Sequence, residues 1–196
     1  MLARPRTVML GLGFVALAVS VAGCRQKAKT PLEAYQRLTA AVTANDGGAL
    51  FDALDQQTRW NWMSIQKFHR EAYDIVLSNY PEGEVRERET RRFEHAATAP
   101  SARDLFIMDA APTIMPMLRP LVLPGATVEN GPTEDTAAAV LGSGMRVELK
   151  RSGNGDWGYA GLGKRAEEDK NRAYHDLEVV RASAADFERA AARAGK

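Results

Sequence analysis

The sequence predicts an α+β fold in which helices come first, a short antiparallel meander of three or four strands follows, and one long helix ends the chain. Between Thr30 and Ala110, apolar residues recur every three or four positions, which is the period of an amphipathic helix. From Gly125 apolar and polar residues alternate, as they do in a half-buried strand. From Lys164 the helical period returns on a highly charged background, which predicts the final helix.

A basic and then apolar segment precedes this fold. Arg4 and Arg6 are followed by 14 uncharged residues from Val8 to Val21. As a helix this stretch would extend about 21 Å, which is less than the roughly 30 Å hydrocarbon core of a bilayer. The length and the basic flank are typical of a signal peptide rather than of a permanent membrane span.

The only cysteine of the chain, Cys24, directly follows Val21, Ala22 and Gly23. This segment resembles the lipobox of bacterial lipoproteins, with Val21 in the usual leucine position. The resemblance implies that the Cys24 thiol takes a diacylglycerol group and that a peptidase cuts between Gly23 and Cys24. The alternatives are an uncleaved anchor and an ordinary signal peptide with an incidental cysteine. The predicted organisation is a signal peptide over 1–23, a lipidated tether over 24–29 and a single domain over 30–196.

The lipidated cysteine would place the protein in the cell envelope, with the bilayer as its first partner. Each buried CH₂ contributes about 0.8 kcal/mol and a single chain binds only marginally, so two or three acyl chains, palmitate among them, would give a stable anchor. Three basic residues of the tether add attraction to an anionic surface; they are Arg25, Lys27 and Lys29. Arg25 stands where the inner-membrane retention signal has Asp. The resemblance therefore favours the periplasmic face of the outer membrane.

Composition narrows the classes of function. Removal of residues 1–23 takes away Arg4 and Arg6 and no acidic residue, so the net charge changes from +1 to −1. This balance argues against nucleic acid as a partner, because the basic surface that such a partner needs is missing. The remaining 173 residues suit one domain with a substantial core. With Cys24 acylated no disulfide can form, so stability must come from packing.

The helices of the first half have recognisable start and stop signals. The segment Thr30–Glu33 is a capping box with proline at the first helical position. The turn at 45–48 ends this helix, and Tyr80-Pro81-Glu82-Gly83 ends the third. The further helices are predicted over 49–54, 58–79, 84–97 and 101–110.

The helix over 84–97 is rich in both acids and arginines. Because the acids interleave with the arginines, we expect a solvated face supported by ion pairs such as Glu84 with Arg88 and Glu87 with Arg91. An anion site is the alternative, built from the four arginines Arg86, Arg88, Arg91 and Arg92.

Four prolines recur at every fourth position, Pro112, Pro116, Pro120 and Pro124, with apolar residues between them. Proline inside a helix costs about 3 kcal/mol. The segment is therefore predicted to be an irregular, buried connection that crosses the core. The alternative is a methionine-rich surface for a hydrophobic ligand or partner.

The strands are predicted over 126–129, 136–141, 145–150 and 156–159, with glycine-containing turns between them. Gly158, Gly161 and Gly163 lack the spacing of a phosphate-binding loop, and we interpret them as strand-end flexibility. The last helix is predicted over 164–193, with Ser183 as a candidate break. Its apolar stripe is expected to pack on the domain, with a partner helix or self-association as the alternative.

The order of these elements resembles NTF2-like (SnoaL-like, cystatin-like) domains. The residues that carry the resemblance are Thr30–Tyr35, Asn45-Asp46, Ala49–Leu54 and the late meander ending in Gly155-Asp156-Trp157. Many small bacterial lipoproteins are similar. The resemblance implies a curved sheet wrapped by helices with a conical pocket, but no single function, because that fold hosts enzymes and binding proteins alike.

Few residues of the sequence suggest a catalytic or metal-binding site. No histidine or cysteine spacing fits a metal site, no Gly-x-Ser-x-Gly elbow is present, and no cofactor is expected. The weak acid/base candidate is His69, with Glu71, Tyr73 and Asp74 near it in sequence; His69 and Tyr73 share a helix face. An apolar pocket is a further candidate, for which core packing is the alternative; its residues would be Trp60, Trp62, Phe68 and Tyr73.

Two functional hypotheses follow. The first is a non-catalytic, lipid-anchored module that binds an envelope protein, a lipid, a wall component or a small apolar ligand. The alternative is an NTF2-like pocket enzyme that uses His69 with a carboxylate close to it.

Overall fold

A computed structural model describes residues 27–194 of the chain. The predicted cleavage and lipidation site at Gly23 and Cys24 lies outside the described residues. Within them the predicted α+β order is confirmed: helices first, then a four-stranded antiparallel sheet, then one long helix. The elements are α1 Pro31–Thr43, α2 Gly47–Ala53, α3 Gln56–Asn79, α4 Glu84–Thr98, α5 Ala102–Asp109, α6 Ala111–Leu118, a 3-10 turn Arg119–Leu121, β1 Thr127–Asn130, β2 Thr136–Val140, β3 Arg146–Arg151, β4 Trp157–Tyr159 and α7 Gly163–Ala194.

Side-chain caps explain where α1, α2 and α3 begin. The Thr30 hydroxyl accepts from the Glu33 amide at 3.2 Å, as the capping box predicts. The Glu33 carboxylate, however, accepts from the amide of Lys29 at 2.6 Å, so the box ties α1 to the preceding segment. Asp46 and Asp55 accept from first-turn amides of α2 and α3, which is why both helices begin two residues before the predicted positions.

The prediction of an irregular connection over Pro112–Pro124 is wrong for its first part, because Ala111–Leu118 is α6. Pro112 lies in the first turn of α6, where its missing amide has no helical acceptor to lose. Pro116 lies inside the helix and removes one hydrogen bond. Burial of Ile114, Met115 and Leu118 against the core offsets that loss.

The sheet is a meander in which each strand pairs with the next in sequence, β1-β2-β3-β4. In β3 the alternation is as predicted, since Val147 and Leu149 are buried and their neighbours are exposed. At the other end of the sheet, β4 contacts the junction of α2 and α3: the Asp55 amide donates to the Tyr159 carbonyl at 2.9 Å. The start of α3 is thereby fixed against the sheet.

The interpretation of Gly158 as strand-end flexibility is wrong. A Cβ at this position would lie 2.6 Å from the Leu54 carbonyl oxygen and from two backbone atoms of Asp55. Glycine is needed here because two backbones approach closely, not because the strand end must flex.

Apolar side chains form two clusters. The main core joins α1, α2, α5, α6 and the sheet with the first turns of α3 and α7. The second cluster lies among α3, α4 and α7 and contains Ala72, Val76, Tyr80, Phe93, Leu177, Val180 and Ala184. Ring contacts of Phe68 with Tyr174 at 5.4 Å and of Tyr80 with Phe187 at 4.9 Å show that α3 and α7 run parallel.

We call this three-helix unit, α4 with the second halves of α3 and α7, the helical arm. The arm bears out the expectation that the stripe of α7 packs on the domain, since Leu177 and Val180 are buried in it. The candidate break at Ser183 is wrong, because α7 continues through it to Ala194.

Candidate functional site

His69 lies on α3 where the helical arm joins the main core, and it lines an open cleft of about 290 Å³. Trp62, Ile65 and Leu105 form apolar walls of this cleft. Its acidic residues come from α5 and α7, and they are Asp109, Asp169 and Asp176. The cleft therefore combines an imidazole, apolar surface and carboxylates.

The surroundings of His69 favour the neutral form of its imidazole. Burial lowers its pKa below 6.5; the charge of Asp176 opposes this, Arg92 lowers the pKa further, and Asp109 again raises it. Its Nδ1 is buried and has no hydrogen-bond partner within residues 27–194. Because Nδ1 is buried, a ligand in the cleft could exchange a hydrogen bond or a proton with it only after the ring turns.

The carboxylates near His69 in sequence are not the ones near it in space. Glu71 forms an ion pair with Arg181 of α7. Asp74 is exposed, and Tyr73 packs against the apolar cluster of the helical arm. None of these three lines the cleft. No signal in the sequence brings α5 and α7 to His69, because that proximity arises only from helix packing.

The three carboxylates of the cleft already have partners. Asp176 contacts Arg92 at 2.6 Å, and Asp109 contacts the His95 imidazole at 2.6 Å. Asp169 forms an ion pair with Arg172, one turn further along α7. These contacts leave His69 without the carboxylate partner that an acid/base pair requires. In the described part of the chain, no group of three or more His, Cys, Asp or Glu residues could hold a metal ion.

The four aromatic residues predicted to line a pocket are separated. Trp62 is 8% exposed and packs edge-on against Phe106 at 5.2 Å. Phe68 packs on Tyr174, and Tyr73 lies against the helical arm. Core packing thus accounts for most of this set. Trp60 differs, because 51% of it is exposed.

Three of the four arginines of α4 contact carboxylates, and the fourth, Arg86, donates to the Leu77 carbonyl at 2.5 Å. Arg88 contacts Glu89 at 3.1 Å rather than the predicted Glu84, and Arg91 contacts Glu87 at 3.8 Å as predicted. Arg92 bridges to α7 through Asp176. These pairs favour the solvated face over the anion site.

The segment before α1 is docked on the sheet. Ala28 is 1% exposed, and its carbonyl accepts from the Trp157 amide at 2.9 Å. The ammonium groups of Lys27 and Lys29 lie 3.2 and 3.0 Å from the Asp156 carboxylate. Burial alone would raise the pKa of Asp156, but the hydrogen bonds from the two lysines outweigh it and hold the pKa below 3.8. Residues 27–29, which were predicted as part of the tether, therefore pack on the folded domain.

A second concave surface begins at this docked segment. A cleft of about 240 Å³ between Lys27 and Arg59 adjoins one of about 470 Å³ that reaches Trp60, and Asn154 lines both. We call the joined surface, from Lys27 to Trp60 along the β3–β4 hairpin, the hairpin furrow. Its basic residues are Lys27, Arg37, Arg59, Lys150 and Arg151.

In comparisons with known proteins, no family model, curated protein or solved structure matched the chain. None of the helices within residues 27–194 has both the length and the hydropathy needed to cross a bilayer.

Proposed function

We propose that the chain is a lipid-anchored lipoprotein of the bacterial envelope that acts as a non-catalytic binding module. The observation that supports this proposal most strongly is the packing of residues 27–29 against the β3–β4 hairpin. Because residues 27–29 are fixed to β4, three chain steps separate Lys27 from Cys24, a distance of about 10 Å when extended. An acylated Cys24 would hold the folded domain directly at the membrane surface.

The binding assignment is supported by the state of the His69 cleft. The three carboxylates of the cleft contact other side chains, and the lowered pKa of His69 favours a neutral imidazole that no carboxylate contacts. Such a cleft can accept a ligand by hydrogen bonding and apolar contact, but it offers no paired general base. The NTF2-like resemblance adds no function to this proposal and stays a prediction.

Metabolic labelling with an alkyne analogue of palmitate tests the anchor. We expect the wild-type chain to incorporate the label and Cys24→Ser to lose it. The matched control is Cys24→Ser with Ser78→Cys, which moves the single thiol to an exposed position on α3. Labelling of this control would show that any exposed thiol is acylated, and it would remove the support for a lipobox.

Photo-crosslinking in the envelope tests the binding assignment. A photoreactive residue at Arg172, on the rim of the cleft, should capture a partner, whereas one at the exposed Arg165 earlier on α7 should not. Equal capture at both positions would contradict a specific site at the cleft.

The second candidate function is the enzyme that uses His69, and the unpaired Nδ1 is the observation that favours it. It requires a carboxylate to turn towards the imidazole when substrate binds. Loss of ligand turnover, and not only of binding, in His69→Gln would support it.

A further inference from the structure

Two large apolar side chains are exposed on the first turns of α3. Trp60 is 51% exposed and Met63 is 55% exposed, and they lie three residues apart on one side of the helix. Trp60 also lines the hairpin furrow. Tryptophan has an apolar ring and a polar N–H, and it is favoured at the interface between lipid and water.

The position of the proposed anchor indicates that the bilayer could cover this surface. The furrow begins at Lys27, which can be no more than about 10 Å of extended chain from Cys24. With acyl chains on Cys24, the Lys27 end of the furrow must remain near the lipid headgroups. Trp60 lines the adjoining cleft of the same surface, so a domain that rests this surface on the bilayer brings Trp60 to the lipid.

The charges of the furrow fit an anionic headgroup layer. Lys150 and Arg151 lie beside Trp60, and the Nε of Arg59 is buried without a hydrogen-bond partner among the described residues. Four acids also line the furrow, and each has a partner within the protein. Asp55 caps α3 and Asp156 contacts Lys27 and Lys29, while Asp52 contacts Arg103 at 3.6 Å and Asp135 accepts from the Thr133 hydroxyl. Each basic group near an anionic surface adds about 1 kcal/mol of attraction.

We propose that the hairpin furrow, with Trp60 at its edge and Met63 three residues further along α3, is the face that lies on the bilayer. This inference rests on the proposed lipid anchor. It places the domain in one orientation: α3 begins at the membrane-facing surface and its 24 residues extend about 36 Å to the end of the helical arm. The His69 cleft, nine residues beyond Trp60 on α3, is then left open to a partner.

The test uses full-length protein purified from the membrane fraction, with its acyl mass verified, in vesicles of phosphatidylethanolamine and phosphatidylglycerol. A share of the phospholipid carries bromine on its acyl chains, which quenches tryptophan fluorescence at short range. Trp157 also lines the furrow, so every protein compared carries Trp157→Phe, and Trp62 alone contributes a common background. Trp60→Phe removes the reporter, and Trp60→Phe with Leu77→Trp moves it 17 residues along α3, about 25 Å away.

We expect brominated lipid to quench the protein that keeps Trp60, to quench the Trp60→Phe variant much less, and to leave the added Leu77→Trp signal unquenched. Equal quenching with and without Trp60, or quenching of the Leu77→Trp reporter as strong as that of Trp60, overturns the inference. Lys150→Glu with Arg151→Glu should reduce the quenching, whereas Arg88→Glu with Arg91→Glu, the same change of charge at two exposed residues of α4, should not.

The experiments distinguish an error in the proposed lipid anchor from an error in the proposed orientation on the bilayer. Protein without acyl mass contradicts the proposed function before any vesicle is used. Acylated protein whose Trp60 stays unquenched leaves the anchor intact and contradicts only the orientation.

Discussion

Gly158→Ala tests the close approach of β4 to the start of α3. The added methyl would meet three backbone atoms of Leu54 and Asp55 at 2.6 Å, and backbone atoms cannot rotate away as a side chain would. To restore ordinary contact, β4 must move by nearly an ångström. Overpacking of this kind costs about 1–3 kcal/mol. Weakening of the hydrogen bond from the Asp55 amide to the Tyr159 carbonyl adds about 1 kcal/mol.

A matched control removes the entropy contribution. Replacing glycine with alanine reduces the entropy of the unfolded chain and stabilises the fold by about 0.4–1 kcal/mol when the site accepts the methyl. Gly153 lies in the β3–β4 turn of the same hairpin, with no atom within 4 Å of an added Cβ. Gly153→Ala should therefore be neutral or slightly stabilising. The difference between the two variants isolates the steric conflict.

Urea unfolding followed by far-ultraviolet circular dichroism measures this difference. We expect Gly158→Ala to be about 2–4 kcal/mol less stable than Gly153→Ala, which corresponds to a fall in Tm of roughly 5–15 °C for a domain of this size. Free energies of unfolding within about 0.5 kcal/mol of each other, the usual range for a surface change, would refute the account of the junction.

Two further predictions concern titrating groups. Asp156→Asn should lower the free energy of unfolding by up to about 1 kcal/mol at pH 7, because Lys27 and Lys29 lose their partner. Since the pKa of Asp156 is held below 3.8, the difference in stability from wild type should vanish as the pH falls through that pKa. Urea unfolding at a series of pH values measures this difference, and a constant difference down to about pH 2 would contradict the prediction. The pKa of His69 is lowered in the folded chain, so the folded chain binds fewer protons than the unfolded chain and its stability should fall below about pH 6.5. In His69→Gln the fall in stability between about pH 7 and pH 5 should be shallower. An NMR titration that gives a His69 pKa at or above 6.5 would contradict this prediction.

Local features of the sequence were sufficient for much of the fold. Thr30 and Ser101 cap the helices that they were expected to cap, because a cap depends on residues only two or three positions away. The alternation in β3 correctly predicted which side chains are buried, since it reflects one sheet face packed on the core. Such signals lie within a single element and need no knowledge of what packs against it.

The features that sequence reasoning missed depend on contacts between distant segments. Nothing around Gly158 in sequence reveals the backbone of Leu54 and Asp55 against it. The penalty for Pro116 was outweighed by core contacts that a propensity argument does not contain. For the same reason the sequence predicts Glu71 and Asp74 as the carboxylates beside His69, whereas helix packing brings Asp109, Asp169 and Asp176 to it from α5 and α7.

Intact-mass analysis of the protein extracted from the membrane fraction tests the proposed anchor most directly. The account predicts a chain that begins at Cys24, lacks residues 1–23 and carries the added mass of two or three acyl chains. An unmodified chain that still begins at Met1 would contradict it.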